Sequence, residues 1–143
     1  MELTAALHHL TDVRQAVLIT LKRDGRPQSS NIVAAVGADG VVRISITADR
    51  AKYPNLQRDP RASLHVNRAD FWAYVVIEGT VELSPIAADP DDATVDELVG
   101  LYRSLSGEHP DWSEYRAAMV RDRRLVVRLH PERAYGMWAD DTD

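Results

Sequence analysis

Apolar and polar residues alternate along much of the chain, and this pattern predicts short β-strands. In segment 41–47, Ile44 and Ile46 alternate with Ser45 and Thr47, which places the two hydroxyl side chains on the face opposite the two isoleucines. Similar patterns predict further strands at 16–22, 27–36, 62–66, 72–83 and 124–130.

Residues typical of turns and helices lie between these predicted strands. The Asp24-Gly25 pair is a strong hairpin signal between the first two strands, and Gly79 predicts a bulge or bend within 72–83. Pro54 fits a helix only in its first turn, where a missing N–H costs nothing. Helical segments are predicted at 2–11, 51–59, 91–105 and 111–121.

These elements favour a mainly β fold with helices, because short antiparallel strands joined by tight turns are typical of a small barrel. The 143 residues fit one domain, 1–143, and 45% of them are hydrophobic, as in an ordinary globular protein. The chain contains no cysteine, which excludes disulfides, thiolate nucleophiles and cysteine-bound metals. Its five histidines have no paired ligand spacing, so no metal site is expected.

The net charge and the hydropathy of the chain restrict the classes of partner that the protein is expected to bind. The net charge of −5 argues against a general nucleic-acid binder, which usually carries a basic face. No apolar run approaches the roughly 20 residues of a membrane span, and the first residues lack the pattern of a secretory signal. We therefore expect a cytoplasmic protein with neither a nucleic acid nor a membrane as partner.

Arg50 and Lys52 are the first candidates for chemistry, because they follow the strand that carries two hydroxyl side chains. Two cations, nearby hydroxyls and backbone N–H groups can hold a phosphate through charge-assisted hydrogen bonds. Alternatively, the pair are solvated loop cations that neutralise Asp49 or Asp59.

Two further groups could contact a planar ligand. Gln28 and Ser30 share one face of the second strand and Asn31 lies on the other, so their amides and hydroxyl could read the edge of a heterocycle. Trp72 and Tyr74 would share a strand face and could form a stacking wall. Alternatively, the second strand is an edge strand whose polar residues face water, and the two aromatic rings simply pack in the core.

The common catalytic motifs are missing. The sequence has no G-x-S-x-G elbow, no Walker loop and no G-x-G-x-x-G fingerprint, so no hydrolase nucleophile, nucleoside triphosphate site or Rossmann dinucleotide site is indicated. No residue type in the pattern identifies a general acid or base, and the catalytic residues stay unknown.

Four segments resemble, in order, the flavin and deazaflavin split-barrel family around pyridoxamine 5′-phosphate oxidase, and most closely its subgroup that uses coenzyme F420. They are DGRPQSSNI, SITADRAKYPNLQRDPRASLHV, WAYVVIEGTVEL and DDATVDELVGLYRSLSGEHPDWSEYRAAMVRDRR. Together they cover most of the chain.

The resemblance implies a homodimer of six-stranded antiparallel split β-barrels, with F420, or alternatively FMN, bound at the subunit interface. It implies an F420-dependent oxidoreductase that transfers a hydride between the deazaflavin and a small organic substrate. The alternatives are an FMN-dependent enzyme like pyridoxamine 5′-phosphate oxidase and a non-catalytic cofactor-binding protein.

The same resemblance assigns residues to the cofactor site. Arg50 and Lys52 would hold the phosphate, and Pro54 stands where relatives often carry a basic residue. Extra cations would be needed for the anionic F420 tail, and the candidates are Lys22, Arg23, Arg26 and Arg58. The other implied cofactor contacts are Gln28, Ser30, Asn31, Ser45, Ile46, Thr47, Asn55, Trp72 and Tyr74.

Overall fold

The alternating segments form a closed antiparallel β-barrel to which helices are attached. The computed structural model describes residues 1–139. Within this range no helix is both long enough and apolar enough to cross a membrane. The helices are α1 (Leu3–Val13), α2 (Lys52–Arg58), α3 (Ala93–Ser106) and α4 (Trp112–Arg121), and the strands are β1 (Gln15–Leu21), β2 (Pro27–Val36), β3 (Val42–Thr47), β4 (Arg61–Asn67), β5 (Tyr74–Leu83) and β6 (Arg124–Met137).

The strands follow the order β1-β2-β3-β6-β5-β4 around the barrel, and every neighbouring pair is antiparallel. Strands that are consecutive in the sequence therefore pair, except β3 and β4: β3 pairs with β6, and β4 pairs with β1. The six-stranded antiparallel barrel expected from the sequence is confirmed.

The barrel interior is filled by the apolar half of each alternating strand. Leu18, Ile44, Leu64 and Ile77 are fully buried there, whereas their neighbours along each strand lie on the outer face. Helix α1 adds Leu10 to the same core. Burial of these side chains supplies the main free energy of folding.

Helices α3 and α4 pack on the outside of β6 through a second, smaller apolar cluster, in which Leu98 and Met119 contact Val126. An ion-pair network ties α3 to the barrel, because Glu97 accepts hydrogen bonds from Arg128 on β6 (2.8 Å) and Arg43 on β3 (2.9 Å). These bonds, from Arg128 first and then Arg43, lower the pKa of the Glu97 carboxyl.

Two strand boundaries differ from the sequence prediction by more than one residue. Strand β6 continues to Met137 instead of ending at residue 130, because Pro131 lies opposite the predicted bulge at Gly79, where a missing N–H is tolerated. Strand β5 begins at Tyr74, since the preceding residues form a turn in which Phe71 adopts a φ of 78°. Trp72 therefore lies outside the strand and is 80% exposed, so its predicted shared face with Tyr74 is wrong.

Candidate functional site

The barrel opens between β2 and β3, which pair only from Ala34 opposite Ile44 to the end of β2. Beyond Ile44, β3 pairs with β6 alone, and the N–H of Ala48 donates to the carbonyl of Arg123 on that side. Because N–H directions alternate along a strand, the backbone N–H groups of Ser45 and Thr47 point towards the opening. This unpaired stretch borders a groove.

The groove has a volume of about 490 Å³ and lies between the opened strands and the helical pair α3–α4. The helices contribute an apolar wall, and the strands contribute most of the polar groups. Six of the residues predicted from the sequence line it: Asn31, Ser45, Ile46, Thr47, Arg50 and Lys52.

Three cations meet at this groove: Arg50, Lys52 and Arg124. In residues 1–139 none of them has a carboxylate within 4.0 Å. Arg124 donates from Nη1 to Ser45 Oγ at 3.3 Å, and its buried Nε has no hydrogen-bond partner. Burial, followed by the charges of Arg50 and Arg124, lowers the pKa of the Lys52 ammonium.

The carboxylates near these cations in sequence bind other groups. Asp59 pairs with Arg61 at 2.8 Å, and Asp49 accepts a hydrogen bond from Thr47 Oγ1 at 2.5 Å, which lowers the pKa of the Asp49 carboxyl. Arg50 acts on Asp49 only through a weaker electrostatic effect. Within residues 1–139 the structure thus gives neither ion pair that the alternative interpretation required, and the three cations at the groove have no ion-paired carboxylate.

Arg124 was not found by sequence reasoning. It reaches the site because β6 pairs with β3 and puts Arg124 opposite Thr47. The chain leaves α4 through Arg123, whose φ of 52° makes the tight turn into β6. No local pattern reveals this pairing, and an arginine at a strand start is otherwise an ordinary surface residue.

Gln28 and Asn55 lie beside the groove and bind each other instead of lining it. The Asn55 amide is buried and donates to Gln28 Oε1 (2.6 Å) and Thr20 Oγ1 (3.2 Å), and its oxygen accepts from Arg58 (2.9 Å). This network fixes α2, which directly follows Arg50 and Lys52, to the barrel. Ser30 is half-buried on the same strand face as Gln28.

Trp72 and Tyr74 lie away from the groove. Trp72 projects from the β4–β5 turn, while the ring of Tyr74 stacks on His65 with 5.3 Å between centroids. His65 lines a second cavity of about 500 Å³ on the outer face of β1, β2 and β4, which adjoins the groove at Asn31 and Val33. Within one chain, then, the predicted aromatic wall does not form part of the cation-bearing groove.

Among residues 1–139, no group of three or more histidine or carboxylate side chains could hold a metal ion. The groove instead combines cations, hydroxyls, unpaired strand backbone and an apolar wall, which suits an organic anion with a flat apolar part.

A family model described as pyridoxamine 5′-phosphate oxidase matches residues 3–138. The chain belongs to the pyridoxamine 5′-phosphate oxidase family. This confirms the relationship suggested by the sequence motifs. The opening between β2 and β3 and the six-stranded barrel order are the features of this family member that position its groove.

Solved structures similar to this pyridoxamine 5′-phosphate oxidase family member share its fold. A conserved hypothetical protein of Mycobacterium tuberculosis is 22% identical, with a TM-score of 0.73 over 96% of this chain and 84% of the other. A protein described as an F420 reductase is 24% identical, with a TM-score of 0.67 over 90% and 94%. An FMN-binding, pyridoxamine 5′-phosphate oxidase-related protein of Nostoc punctiforme is 16% identical, with a TM-score of 0.61 over 93% and 80%.

Proposed function

We propose that the chain is an F420-dependent oxidoreductase that transfers a hydride between this deazaflavin and a small organic substrate. The observation that carries the proposal is the cluster of Arg50, Lys52 and Arg124 at one groove, without a carboxylate partner in residues 1–139. Three neighbouring cations repel one another unless an anion lies between them. An organic phosphate is such an anion, and its oxygens accept charge-assisted hydrogen bonds.

The donors at the cluster fit a phosphate group. The buried Nε–H of Arg124 lacks an acceptor, which costs about 1–3 kcal/mol, and a phosphate oxygen in the groove would supply one. The Ser45 hydroxyl accepts from Arg124 and keeps its own proton to donate. Arg50, Lys52 and Arg124 would hold the phosphate, whereas Thr47 is bound to Asp49 through its hydroxyl.

The open strand edges suit the ring system of the cofactor. A flavin or deazaflavin carries carbonyl and N–H groups along its pyrimidine edge, and the backbone of Ser45, Thr47 and Asn31 can pair with such groups. Gln28 and Asn55 would support this site indirectly by holding α2 in place.

The deazaflavin itself supplies the hydride donor or acceptor when it is bound. The chain would bind the phosphate with Arg50, Lys52 and Arg124, orient the ring through the backbone of β3, and place the apolar side chains Leu101, Leu105 and Met119 against the ring. Holding a substrate molecule next to the ring makes the bimolecular hydride transfer effectively unimolecular. This proximity effect would be the main catalytic contribution of such a groove.

FMN is the alternative cofactor, because the cation cluster fits its phosphate as well. The F420 reductase resembles this chain more closely than the FMN-binding protein does, at 24% against 16% identity, and this favours F420. Three cations considered for the anionic F420 tail are exposed on the β1–β2 turn: Lys22, Arg23 and Arg26. The fourth, Arg58, is bound to the carbonyl of Leu21 and to Asn55.

A cofactor carrier without turnover is the second candidate function. It is favoured by one observation, that no aspartate, glutamate or histidine lines the groove in the described part of the chain. Stopped-flow oxidation of bound reduced F420 by enones, quinones and tetrapyrroles separates the two functions. Oxidation faster than that of free cofactor supports the enzyme, and tight binding with no acceleration supports the carrier.

We also propose that the working form is a homodimer with the cofactor at the subunit interface. The supporting observation is a set of large apolar side chains that one chain leaves exposed, including Val33, Phe71, Trp72 and Met137. In such a dimer Trp72 and Tyr74 would contact the cofactor of the second copy. Light scattering after size-exclusion chromatography tests this, and a monomer at micromolar concentration would contradict it.

Equilibrium titration distinguishes between F420 and FMN as the cofactor. We expect fluorescence quenching of F420 to saturate at one cofactor per chain, with a lower dissociation constant than that of FMN. If FMN bound about tenfold more tightly than F420, the proposed cofactor would be FMN instead of F420.

A further inference from the structure

Lys52 has the properties of a nucleophilic lysine. The chain has two lysines, Lys22 on the exposed β1–β2 turn and Lys52 in the groove. Within residues 1–139 the Lys52 ammonium has neither a hydrogen-bond acceptor nor a carboxylate partner. Burial, followed by the charges of Arg50 and Arg124, lowers its pKa, so a larger fraction of this amine is uncharged than in an exposed lysine. Desolvation and neighbouring cations are two conditions that activate a lysine as a nucleophile.

The neighbours of Lys52 determine which electrophiles reach its amine. Arg50 and Arg124 attract an anion to the groove, and the buried Nε–H of Arg124 lacks an acceptor. Guanidinium groups hold a phosphate through charge-assisted hydrogen bonds of fixed geometry. An electrophile that carries a phosphate directly beside its reactive carbon would therefore be held with that carbon close to Lys52. The same two arginines would stabilise the negative charge of a phosphate that leaves.

The hydroxyl groups beside the cations compete poorly with this amine. Thr47 donates its proton to Asp49, and Ser45 accepts a hydrogen bond from Arg124. A hydroxyl is a weak nucleophile unless an adjacent base removes its proton. The hydrogen bond from Thr47 lowers the pKa of the Asp49 carboxyl, which makes Asp49 a weak base. Lys52 is therefore the strongest nucleophile among these groups.

We propose that Lys52 is an acylation site for acyl phosphates, the mixed anhydrides of a carboxylic acid and phosphoric acid. The uncharged Nζ attacks the carbonyl carbon, an amide C–N bond forms, and the C–O bond to the phosphate breaks. The phosphate leaves with the electron pair of that bond, and the amine proton passes to water. The product is an uncharged N-acyl-lysine and inorganic phosphate.

Acylation would regulate the groove, because it removes one of its three cations and places an acyl group there. This regulatory step rests on the proposed function, in which Lys52 holds the cofactor phosphate. The acylation itself requires only the cation cluster. A bound cofactor phosphate would occupy Arg50 and Arg124 and keep the acyl phosphate away, so the modification would act on the cofactor-free protein.

Acetyl phosphate is the probe, and mass spectrometry of peptides follows the acetylation of Lys52 and Lys22 in the same sample. We expect Lys52 to react about tenfold faster than Lys22, because the reagent is bound beside it. Excess inorganic phosphate should slow the reaction of Lys52 and leave that of Lys22 unchanged. Acetic anhydride, which carries no phosphate, should show a smaller preference for Lys52.

Arg124→Leu tests the role of the arginines, and Arg128→Leu, on the same strand but outside the groove, is its control. The preference of acetyl phosphate for Lys52 should be lost in Arg124→Leu and retained in Arg128→Leu. Equal acetylation rates of Lys52 and Lys22 in the wild-type protein would overturn the inference. A reaction of Lys52 that excess phosphate does not slow would overturn it as well.

The F420 dissociation constant of the acetylated protein tests the regulatory step separately. We expect it to rise about tenfold or more, as for the loss of a hydrogen bond to a charged group. Equal affinity of modified and unmodified protein would overturn the regulatory step and the cofactor-binding role of Lys52, but not the acylation. Failure of the unmodified protein to bind F420 would contradict the proposed function, whereas the acetylation rates would still support or overturn the acylation site.

Discussion

Arg124 at the start of β6 donates a hydrogen bond to Ser45 on β3, and these two residues join the strands that carry opposite sides of the cation cluster. Arg50 and Lys52 follow the same β3 strand, so the pairing of β3 with β6 brings all three cations to one place. The site is thus a product of barrel closure and not of a contiguous motif.

Lys52→Ala should weaken cofactor binding by about 1.5–3 kcal/mol, which is typical for a hydrogen bond to a charged group. The fold should be retained, because Lys52 lies at a groove and forms no ion pair in residues 1–139. Fluorescence titration measures the dissociation constant. Arg61→Ala, which removes an exposed cation outside the groove, is the control, and equal effects of the two substitutions would place the phosphate elsewhere.

Arg124→Leu should separate ligand binding from folding stability. The substitution removes a repelled cation and a buried N–H without an acceptor, so we expect the free energy of unfolding without cofactor to be unchanged or raised. Cofactor binding should weaken by about 1.5–3 kcal/mol. Urea unfolding and cofactor titration provide the two measurements.

Arg128→Leu is the control for that experiment, since it removes another arginine of β6. Arg128 binds Glu97, so this variant should lose stability while its groove keeps all three cations. If Arg124→Leu destabilised the protein as strongly as Arg128→Leu, Arg124 would have a structural role instead of a binding role.

Cofactor affinity should fall as the pH rises through the alkaline range. The pKa of Lys52 lies below its ordinary value of 10.5 in the free protein, mainly because of burial, and a bound phosphate raises it by stabilising the ammonium. The complex then holds more protons than its free components in this window, so binding weakens with increasing pH. Lys52→Arg should flatten this dependence of the F420 dissociation constant, because a guanidinium stays charged.

The lowered pKa of Lys52 has the opposite effect on the pH dependence of the free energy of unfolding. Between the lowered pKa of Lys52 and 10.5, the unfolded chain binds the proton that the folded chain has released. The contribution of Lys52 to the free energy of unfolding without cofactor therefore increases with pH in this window. A wild-type protein whose stability falls there more steeply than that of Lys52→Arg would contradict this assignment.

Glu97→Gln should destabilise the attachment of α3 to the barrel, by about 1–3 kcal/mol. Hydrogen bonds from Arg128 and Arg43 place the pKa of Glu97 below its ordinary value of 4.5, so its stabilising contribution is complete above that value. As the pH falls through the lowered pKa, Glu97 becomes protonated and the contribution is lost. Thermal unfolding at neutral and acidic pH should show a smaller difference between wild type and variant in acid.

Gly79→Ala should be strongly destabilising, because an added Cβ would lie 2.2 Å from the backbone carbonyl oxygen of His130. Relieving this clash requires separating β5 from β6, at a cost of about 1–3 kcal/mol or more. Gly100→Ala in α3 meets no atom within 4 Å and should stabilise the protein by about 0.5–1 kcal/mol. Opposite shifts in the urea midpoint check both expectations.

Much of the fold could be predicted from local patterns. The alternation of Ile44 and Ile46 with Ser45 and Thr47 gave the correct inner and outer faces of β3, because a period of two reports burial on one side. Gly79 was correctly predicted as a bulge, and Pro54 does lie in the first turn of α2. These features depend only on backbone preferences near the residue concerned.

The remaining features depend on residues distant in the sequence. Arg124 joins the site through its pairing with β3, and β6 passes through Pro131 only because Gly79 bulges opposite it. Trp72 is displaced by a turn in which Phe71, a bulky residue, adopts a left-handed conformation. Neither strand register nor this turn is encoded in a short pattern of apolar and polar residues.

The position of Arg124 has a consequence during synthesis, because a ribosome delivers β3 long before β6. Arg50 and Lys52 are synthesised before Arg124, and the three cations come together only when β6 pairs with β3. Under the proposed function, capture of the cofactor would therefore be a late event for the nascent chain, and the ligand would stabilise a folded barrel instead of directing its folding.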